Sequence, residues 1–288
     1  MPDTAFVHAL TVDVEGFAES HAQSVHVEDS LLGADVNDRE IAANLSVTLD
    51  LFAEHQRRAT FFFLGRIART APDLVRQVAD AGHEIGCHSL FHRRITGQTP
   101  AEFRLQLATA RKALEDASGG RVIGFRAPDF SIGAGNKWAF DELAAGGFLY
   151  DSSVVPTSLH DVYGMATVPR GIFRWPNGLI EFPLPVLKVF GQALPIGGGG
   201  YFRLYPSSVT RSYFRTQMTR GTPSVFYIHP YEIGPQAPRL PGLPLMRRFR
   251  HYIRLGNGRE RLSRLLRILP FTTMSDVLKR SGFLEKSD

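Results

Sequence analysis

The stretch Leu10-Thr11-Val12-Asp13-Val14-Glu15-Gly16 is the part of the sequence from which the rest of the chain can be interpreted. Apolar residues lead into two carboxylates separated by one residue, and a glycine ends the run. Side chains alternate between the two faces of a strand, so Asp13 and Glu15 point the same way. Two carboxylates at such a strand end repel each other unless a cation or a proton lies between them. The stretch therefore predicts either a cation site at a strand end or, more simply, a strand end with two solvated acids.

A second stretch, Cys87-His88-Ser89-Leu90-Phe91-His92, favours the cation site. His88 and His92 are four residues apart, a spacing that lets one helical turn aim both imidazoles at one ion. With Glu15 they form a set of one carboxylate and two imidazoles, which leaves the fourth position of a zinc-like ion open for water. We predict that Glu15, His88 and His92 are metal ligands and that Asp13 is a further ligand or the general base.

The composition sets broad limits on the class of protein. With 288 residues, 43% of them hydrophobic, the chain can bury one large core of barrel size or two smaller ones. A net charge of +5 is compatible with a nucleic acid, an anionic membrane surface or an acidic glycan as partner. The single cysteine, Cys87, excludes an internal disulfide framework. There is no apolar run of about 18 residues and no secretory leader pattern, so we expect a cytoplasmic protein.

Strand and helix patterns alternate along the first half of the chain, which is typical of parallel βα units in a barrel or an open α/β sheet. In such folds the chemistry lies at the carboxyl ends of the strands. Strands are predicted over 6–12, 59–65, 83–88, 122–125, 148–150, 179–182 and 225–228, and helices over 39–55, 70–82, 99–118, 137–146 and 207–219. Asp13, His88, Arg126, Asp151 and His229 all fall at such strand ends.

The remaining segments have weaker patterns. Residues 17–38 are polar and predict a long loop, and the run of four glycines at 197–200 predicts a tightly turning loop at the rim. Residues 239–268 hold nine arginines and one acid, with leucines at helical spacing. We expect these leucines to pack on the body of a single domain spanning 1–288, of which 239–288 is a basic helical extension. The alternative is a face for anionic lipid or glycan.

Several single residues have a functional and a structural interpretation. Arg126 fits a bidentate pair that holds Asp13, and is otherwise a surface cation. His229 fits a proton donor to a leaving amine, and is otherwise a core or rim histidine. His160, followed by Asp161, fits a carboxylate–histidine pair in a substrate cleft. Trp175 and Tyr201 fit sugar-stacking platforms or core packing.

In their order and spacing, these motifs resemble those of the polysaccharide deacetylases (NodB homology, carbohydrate esterase family four). TVDVEG at 11–16 resembles the first motif, HSLFH at 88–92 the second, RAPD at 126–129 the third and FYIHP at 226–230 the last, whereas RWPNG at 174–178 is a weaker match to the tryptophan motif. The resemblance implies a distorted (β/α)7-type barrel. It also implies Asp13 as base, Arg126 as its brace, Glu15, His88 and His92 as metal ligands and His229 as catalytic acid, with Asp151, Trp175, Tyr201 and His160 on the substrate side.

The second half of the chain resembles a subgroup of these enzymes found with exopolysaccharide assembly and protein-sorting systems. The matching segments are YDSSVVPTSLHDVYG at 150–164, LIEFPL at 179–184, LPIGGGGYFRL at 194–204 and RFRHYIRLG at 248–256. Two departures from the family pattern matter. Val14 separates the two acids, which are usually adjacent, and Asp129 stands where an aromatic residue usually follows the proline. The second departure affects the substrate cleft and leaves the metal ligands in place.

The activity implied is metal-dependent removal of N-acetyl groups from N-acetylhexosamine residues of a polysaccharide or its lipid-linked precursor, a part of carbohydrate metabolism. Alternatives are hydrolysis of a small cyclic or linear amide, or a glycan-binding barrel without turnover. The donor set fits Zn²⁺, with Co²⁺, Ni²⁺ or Fe²⁺ as other options. The expected partner is an N-acetylated glycan and not a nucleic acid, with peripheral association at the inner face of the membrane as a further option. The sequence does not specify the oligomeric state.

Overall fold

The computed structural model describes residues 7–23, 27, 32–159, 164–235, 237–240 and 245–286. Strands within these ranges are β1 (His8–Val14), β2 (Thr60–Phe63), β3 (Glu84–Cys87), β4 (Gly124–Phe125), β5 (Tyr150–Asp151), β6 (Phe173–Arg174), β7 (Ile180–Glu181), β8 (Val186–Val189), β9 (Gln192–Pro195), β10 (Val225–Ile228) and β11 (Phe271–Thr272). Helices are α1 (Phe17–His21), α2 (Ala34–Glu54), α3 (Gly65–Thr70), α4 (Pro72–Asp80), α5 (Pro100–Ser118), α6 (Trp138–Ala145), α7 (Gly199–Leu204), α8 (Ser207–Thr219), α9 (Leu245–Tyr252), α10 (Gly258–Ile268) and α11 (Met274–Arg280).

Seven parallel strands form a curled sheet in the order β10-β1-β2-β3-β4-β5-β7. β6 lies antiparallel to β7 at one edge, and β11 lies beside the start of β1. The predicted seven-stranded, barrel-like α/β fold is thus confirmed. In the register of the sheet, Val12 pairs with Ile228 and Asp13 with Phe62, so the carboxyl ends of β1, β2 and β10 lie side by side.

The hairpin formed by β8 and β9 links the two ends of this sheet. Ile196 N donates to Pro185 O (3.1 Å), and Tyr227 N of β10 donates to Gly197 O (2.8 Å). At Gly198, φ is +144°, and a Cβ there would lie 1.8 Å from Tyr227 O. Gly197 and Gly198 therefore form the tight turn that the sequence predicts, because the backbones approach closely where the barrel closes. The predicted loop over 197–200 was wrong for Gly199 and Gly200, which begin α7.

Helix boundaries show which local signals decided the structure. α5 begins after Thr99 with a reciprocal capping box, because Glu102 N donates to Thr99 Oγ1 (3.3 Å) and Thr99 N donates to Glu102 Oε2 (2.8 Å). The predicted start of a helix near residue 39 was wrong, since α2 begins at Ala34. The predicted loop over 17–38 was also wrong in part, because it contains the short helix α1.

The C-terminal segment packs closely on the barrel. Leu262, Leu265, Leu266 and Leu269 are all buried in the main core cluster, as their helical spacing predicts. β11 then extends the sheet beside His8 and Ala9. Among the described residues, no helix is long and apolar enough to cross a membrane.

Candidate active site

The candidate site lies where strands β1, β3, β4 and β10 end. Asp13 is the last but one residue of β1 and Glu15 follows that strand, while His88, Arg126 and His229 each come directly after a strand. Because the strands are parallel, their carboxyl ends share one mouth of the barrel. Asp13, Glu15, His88 and Arg126 are almost completely buried. The His229 side chain is 17% exposed, so the site is most open on the His229 side.

Three side chains converge in one cluster that has the size of a metal site. Glu15 Oε2 lies 3.3 Å from His88 Nε2 and 2.7 Å from His92 Nε2, and the three candidate ligand atoms are within 4.8 Å of one another. For bonds of about 2.1 Å in tetrahedral geometry, neighbouring ligand atoms are about 3.4 Å apart. The contact with His88 has this length, and the shorter one with His92 is that of an ion pair.

The segment from His88 to His92 is not the helical turn that its spacing predicts. These residues form an irregular loop in which Ser89 has φ of +71°. Gly65 N donates to Ser89 O (2.8 Å) and Arg66 N donates to Leu90 O (2.9 Å), so the first amides of α3 hold the loop in place. The two imidazoles reach one point through a fixed loop rather than through helical periodicity.

His88 is held in a defined orientation by its second ring nitrogen. His88 Nδ1 lies 2.7 Å from the carbonyl oxygen of Arg126, to which it donates, and this tautomer leaves Nε2 free of its proton and facing Glu15. This is the arrangement in which a neutral imidazole acts as a metal ligand.

The electrostatics of the cluster call for a positive charge beside Glu15. Burial would raise the pKa of Glu15, but the charge of His92 with the other imidazoles lowers it well below its ordinary value. Burial would lower the pKa of His92, but the charge of Glu15 raises it to about 9. The carboxylate is thus stable in its buried position only next to a cation. Protonated His92 can be that cation, or it can release its proton to a divalent ion.

The hydrogen-bonding state of Glu15 also fits a metal. Its buried Oε2 atom lies in ion-pair contact with His92 Nε2 but accepts no hydrogen bond of acceptable geometry from the residues that the structure describes. Native structures rarely leave a buried carboxylate oxygen in this state, and an ion held jointly with the two Nε2 atoms would satisfy it. The residues present therefore fit the predicted metal.

Arg126 is fully buried and braces the candidate base. Its Nη1 donates to Asp13 Oδ1 (2.8 Å) and to Thr11 Oγ1 (2.7 Å), and its Nε donates to Ser152 O (3.1 Å). The guanidinium also lies over the ring of Phe62, 4.4 Å from its centroid. The pairing with Asp13 is through one nitrogen only, so the predicted bidentate geometry was wrong, and so was the interpretation as a surface cation.

On the opposite side of the site, His229 is held by Glu232, which we had not predicted. Glu232 Oε2 accepts from His229 Nδ1 (3.0 Å) and from its backbone N (2.9 Å), while Arg203 Nε donates to Glu232 Oε1 (2.7 Å). His229 Nε2 then lies 3.3 Å from Glu15 Oε1. The three-residue spacing of His229 and Glu232, typical of a capping box, was the one local signal for this pair.

These contacts determine the charges of Glu232 and His229. Burial would raise the pKa of Glu232, but Arg203 and His229 lower it to about 2. Burial would lower the pKa of His229, but the hydrogen bond and the charge of Glu232, with Glu15 and Asp13, raise it. His229 therefore keeps its proton to a higher pH than a free histidine does, which suits a general acid.

The four residues predicted on the substrate side are not brought together in this way. Asp151 is fully buried and accepts from Ser153 Oγ (2.6 Å) and Ser153 N (3.1 Å). Trp175 stacks on Phe140 of α6 at 4.2 Å. Tyr201, in α7, has its ring 5.9 Å from that of Tyr205. His160 lies outside the described residues, and a substrate role for these four stays a prediction.

Comparison with known proteins agrees with the site. Residues 35–143 match the family model described as polysaccharide deacetylase, and residues 152–279 match one described as a domain of unknown function, DUF3473. The fold and site define an α/β barrel with a carboxylate and histidine cluster at the strand ends. Residues 35–143 are therefore similar to the polysaccharide deacetylase family.

Two relatives illustrate the extent of the match. A chitooligosaccharide deacetylase of Azorhizobium caulinodans is 39% identical over 80 residues, which are 27% of this chain and 38% of the relative. A peptidoglycan-N-acetylglucosamine deacetylase of Listeria monocytogenes is 35% identical over 95 residues, which are 33% of this chain and 20% of the relative. The alignments thus span less than two thirds of either relative.

Solved structures share the fold over nearly the whole chain. A Mycobacterium smegmatis protein described as a polysaccharide deacetylase has a TM-score of 0.63 at 22% identity, covering 99% of this chain and 93% of its own. An allantoinase, Puue, has a TM-score of 0.64 at 17% identity, with the same coverage. At these identities the likeness defines the barrel and not the reaction.

Proposed function

We propose that the protein is a metal-dependent N-deacetylase that removes acetyl groups from N-acetylhexosamine residues of a polysaccharide or its lipid-linked precursor. The observation that carries the proposal is the convergence of three parts at one mouth: the Glu15–His88–His92 cluster, the Arg126-braced Asp13, and His229 on the opposite side. The relatives named as deacetylases of chitooligosaccharide and of peptidoglycan N-acetylglucosamine support a glycan as the substrate.

Glu15, His88 and His92 would hold the metal. A divalent ion there supplies Lewis acidity, which lowers the pKa of water and polarises an acyl oxygen. One oxygen and two imidazole nitrogens favour Zn²⁺, and Co²⁺, Ni²⁺ or Fe²⁺ fit the same donors. Removing any of the three side chains should therefore abolish metal binding and activity together.

Asp13 would act as the general base. The hydrogen bond from Arg126 occupies Oδ1 and fixes the carboxylate, so we assign proton acceptance to Oδ2. As Asp13 takes a proton from water, the water oxygen forms a bond to the acetyl carbon. The orientation of the carboxylate is fixed because Arg126 is itself held by hydrogen bonds to Thr11 and Ser152.

His229 would act as the general acid. Its Nδ1 proton is engaged by Glu232, and its Nε2 faces the cluster 3.3 Å from Glu15 Oε1. When the C–N bond breaks, Nε2 gives its proton to the departing amine of the sugar, and acetate is the other product. The raised pKa of His229 supports this direction of proton transfer.

The test is acetate release from a panel of N-acetylated glycans, beginning with chitooligosaccharides, by protein whose metal content has been measured. Glu15→Gln should lose both the metal and the activity. Glu54→Gln is the matched control, because Glu54 forms a surface ion pair with Arg259 away from the site. Ring opening of ureides without acetate release would show a small-amide hydrolase instead. Bound metal with glycan binding but no hydrolysis would show a binding protein.

The wider setting is part of the same proposal. Resemblance of the second half to the exopolysaccharide-associated subgroup supports a role in exopolysaccharide biosynthesis, in the cytoplasm or at the inner face of the membrane. We propose that Asp151, Trp175, Tyr201 and His160 contribute to substrate binding, and that 1–288 is one domain with 239–288 packed on it. Acetate release from lipid-linked exopolysaccharide precursors that carry N-acetylhexosamine would test the setting directly.

A further inference from the structure

A fully exposed phenylalanine stands at the tip of the β8–β9 hairpin. Phe190 is 101% exposed and has φ of +47°, a left-handed conformation that bulky residues rarely adopt. Lys188, on the same hairpin, is also exposed. Phe190 and Gly191 form the two-residue turn between Val189 and Gln192, and both have positive φ, as such hairpin turns require. The turn holds the ring away from the protein and leaves its apolar surface open to a contact outside the chain.

A second exposed apolar pair lies on α9. Leu245 is 83% exposed and Phe249 is 56% exposed, and their four-residue spacing puts them on one side of the helix. Arg248 beside them is exposed. The surrounding stretch 239–268 contains nine arginines and one acid. We call Lys188, Phe190, Leu245, Arg248 and Phe249 the rim surface.

Both parts of the rim surface belong to elements that pack against residues near the candidate site. At the end of α9, the ring of Tyr252 packs 5.3 Å from that of Phe17, which follows Glu15 by two residues. The hairpin packs beside β10, the strand that His229 follows, because Val186 and Ala193 lie in one cluster with Tyr227 and Phe130. Thr157 Oγ1 donates to Ala193 O (2.6 Å) and fixes the hairpin there.

We propose that the rim surface docks on an anionic lipid bilayer. Its apolar side chains are separate protrusions, which insert among lipid headgroups, whereas a protein partner usually covers one continuous patch. Its charges are cationic, and a cytoplasmic leaflet rich in acidic lipid attracts each arginine or lysine near the surface. A second copy of the chain is disfavoured, since a two-fold interface would bring like charges together. Docking would turn the barrel mouth towards glycan carried at the bilayer surface.

Co-sedimentation of the full chain with vesicles tests the proposal without any need for turnover. Vesicles of phosphatidylglycerol and phosphatidylcholine in equal parts should bind the protein, and binding should weaken with added salt, while pure phosphatidylcholine should bind little. Phe190→Ser should reduce partitioning by about tenfold, as expected for one inserted aromatic ring. Leu245→Gln combined with Phe249→Gln should reduce it at least as much, and Arg248→Ala by about fivefold.

Two exposed residues elsewhere provide matched controls. Leu105→Gln removes a leucine that is 70% exposed on α5, and Arg121→Ala removes an exposed arginine that precedes β4, at the opposite end of that strand from the mouth. Both should bind vesicles like the unchanged chain. The proposal is overturned if anionic vesicles are not bound, or if the apolar variants bind as well as the controls. Concentration-dependent dimerisation that Phe190→Ser removes, without vesicle binding, would assign the rim surface to a second copy.

Discussion

The two sides of the candidate site are built in different ways. On the first side, Asp13, Glu15 and His88 are placed by neighbouring parallel strands whose register fixes where each strand ends. On the second side, His229 also follows a strand, but its orientation depends on an ion pair between Glu232 and Arg203. Arg203 in turn donates to the carbonyls of His251 and Ile253 in the C-terminal segment.

The two sides therefore position their side chains by different means, strand register on the first side and an ion pair on the second. Strand register is set by many backbone hydrogen bonds, so single side-chain changes on the first side should leave the strand ends in place, even where they affect the buried Arg126–Asp13 pair. A buried ion pair depends on each member, because removing one partner leaves the other as an uncompensated charge. The second side should therefore be sensitive to residues that never reach the substrate.

The largest effect is expected from the first side. Asp13→Asn removes the proposed general base while its amide oxygen can still accept from Arg126, so kcat should fall about 10²–10⁴-fold. The metal content should stay at that of the unchanged chain, since the three ligand side chains are intact. Acetate release together with elemental analysis checks both statements, and Asp116→Asn on the exposed surface of α5 is the control. Normal turnover in Asp13→Asn would remove this residue from the mechanism.

The second effect concerns His8, where β1 contacts the second half of the chain; we call this contact the seam. His8 Nε2 donates to Phe214 O (3.0 Å) and Nδ1 accepts from Ser224 N (3.2 Å), so the neutral ring joins β1 to the second half of the chain. Burial lowers the pKa of His8 to about 4, from an ordinary 6.5. As the pH falls from 6.5 to 4, the unfolded chain takes up the proton first. The stabilisation present above pH 6.5 is therefore lost, by up to about 3 kcal/mol.

Denaturant unfolding at pH 7 and at pH 4.5 measures this loss. His8→Gln keeps a donor for Phe214 O and cannot titrate, so its stability should depend less on pH over this interval. Some dependence of the stability on pH should persist, because burial also lowers the pKa of His83 to about 4. An unchanged pH dependence in His8→Gln would show that the seam does not cause the acid sensitivity.

The third effect tests the second side. Glu232→Gln removes the charge that Arg203 and His229 share, and should reduce kcat about 10–100-fold with little change in KM, as is typical for the partner of a functional histidine. Arg203→Lys keeps the positive charge, so its kcat should lie between that of the unchanged chain and that of Glu232→Gln. Glu142→Gln breaks an exposed glutamate–arginine pair with Arg104 and should leave kcat unchanged. Equal kcat in both glutamine variants would show that Glu232 does not orient the acid.

The sequence was informative where local rules decide the structure. Alternation along a strand placed Asp13 and Glu15 together, and strand–helix alternation predicted parallel strands, whereas the seven-stranded barrel followed from the family resemblance. The loop from His88 to His92 could not be predicted, because its shape depends on amides of α3 that lie more than twenty residues earlier. The pairing of Arg203 with Glu232 joins a short helix to the end of β10, and no local pattern connects those two positions.

The smallest effect is expected where sequence and structure agree most closely. Thr99→Ala removes the capping box of α5 and should cost about 1 kcal/mol of unfolding free energy, with acetate release unchanged. Thr109→Ala, within the same helix, replaces a residue whose hydroxyl bonds only to Leu105 O among the described contacts, and should stabilise by a few tenths of a kcal/mol through helix propensity. Thermal unfolding distinguishes the two, since the shifts have opposite signs. If Thr99→Ala instead lowered kcat, the first half of the chain would also depend on single side chains to place its part of the site, and the contrast between the two sides would no longer hold.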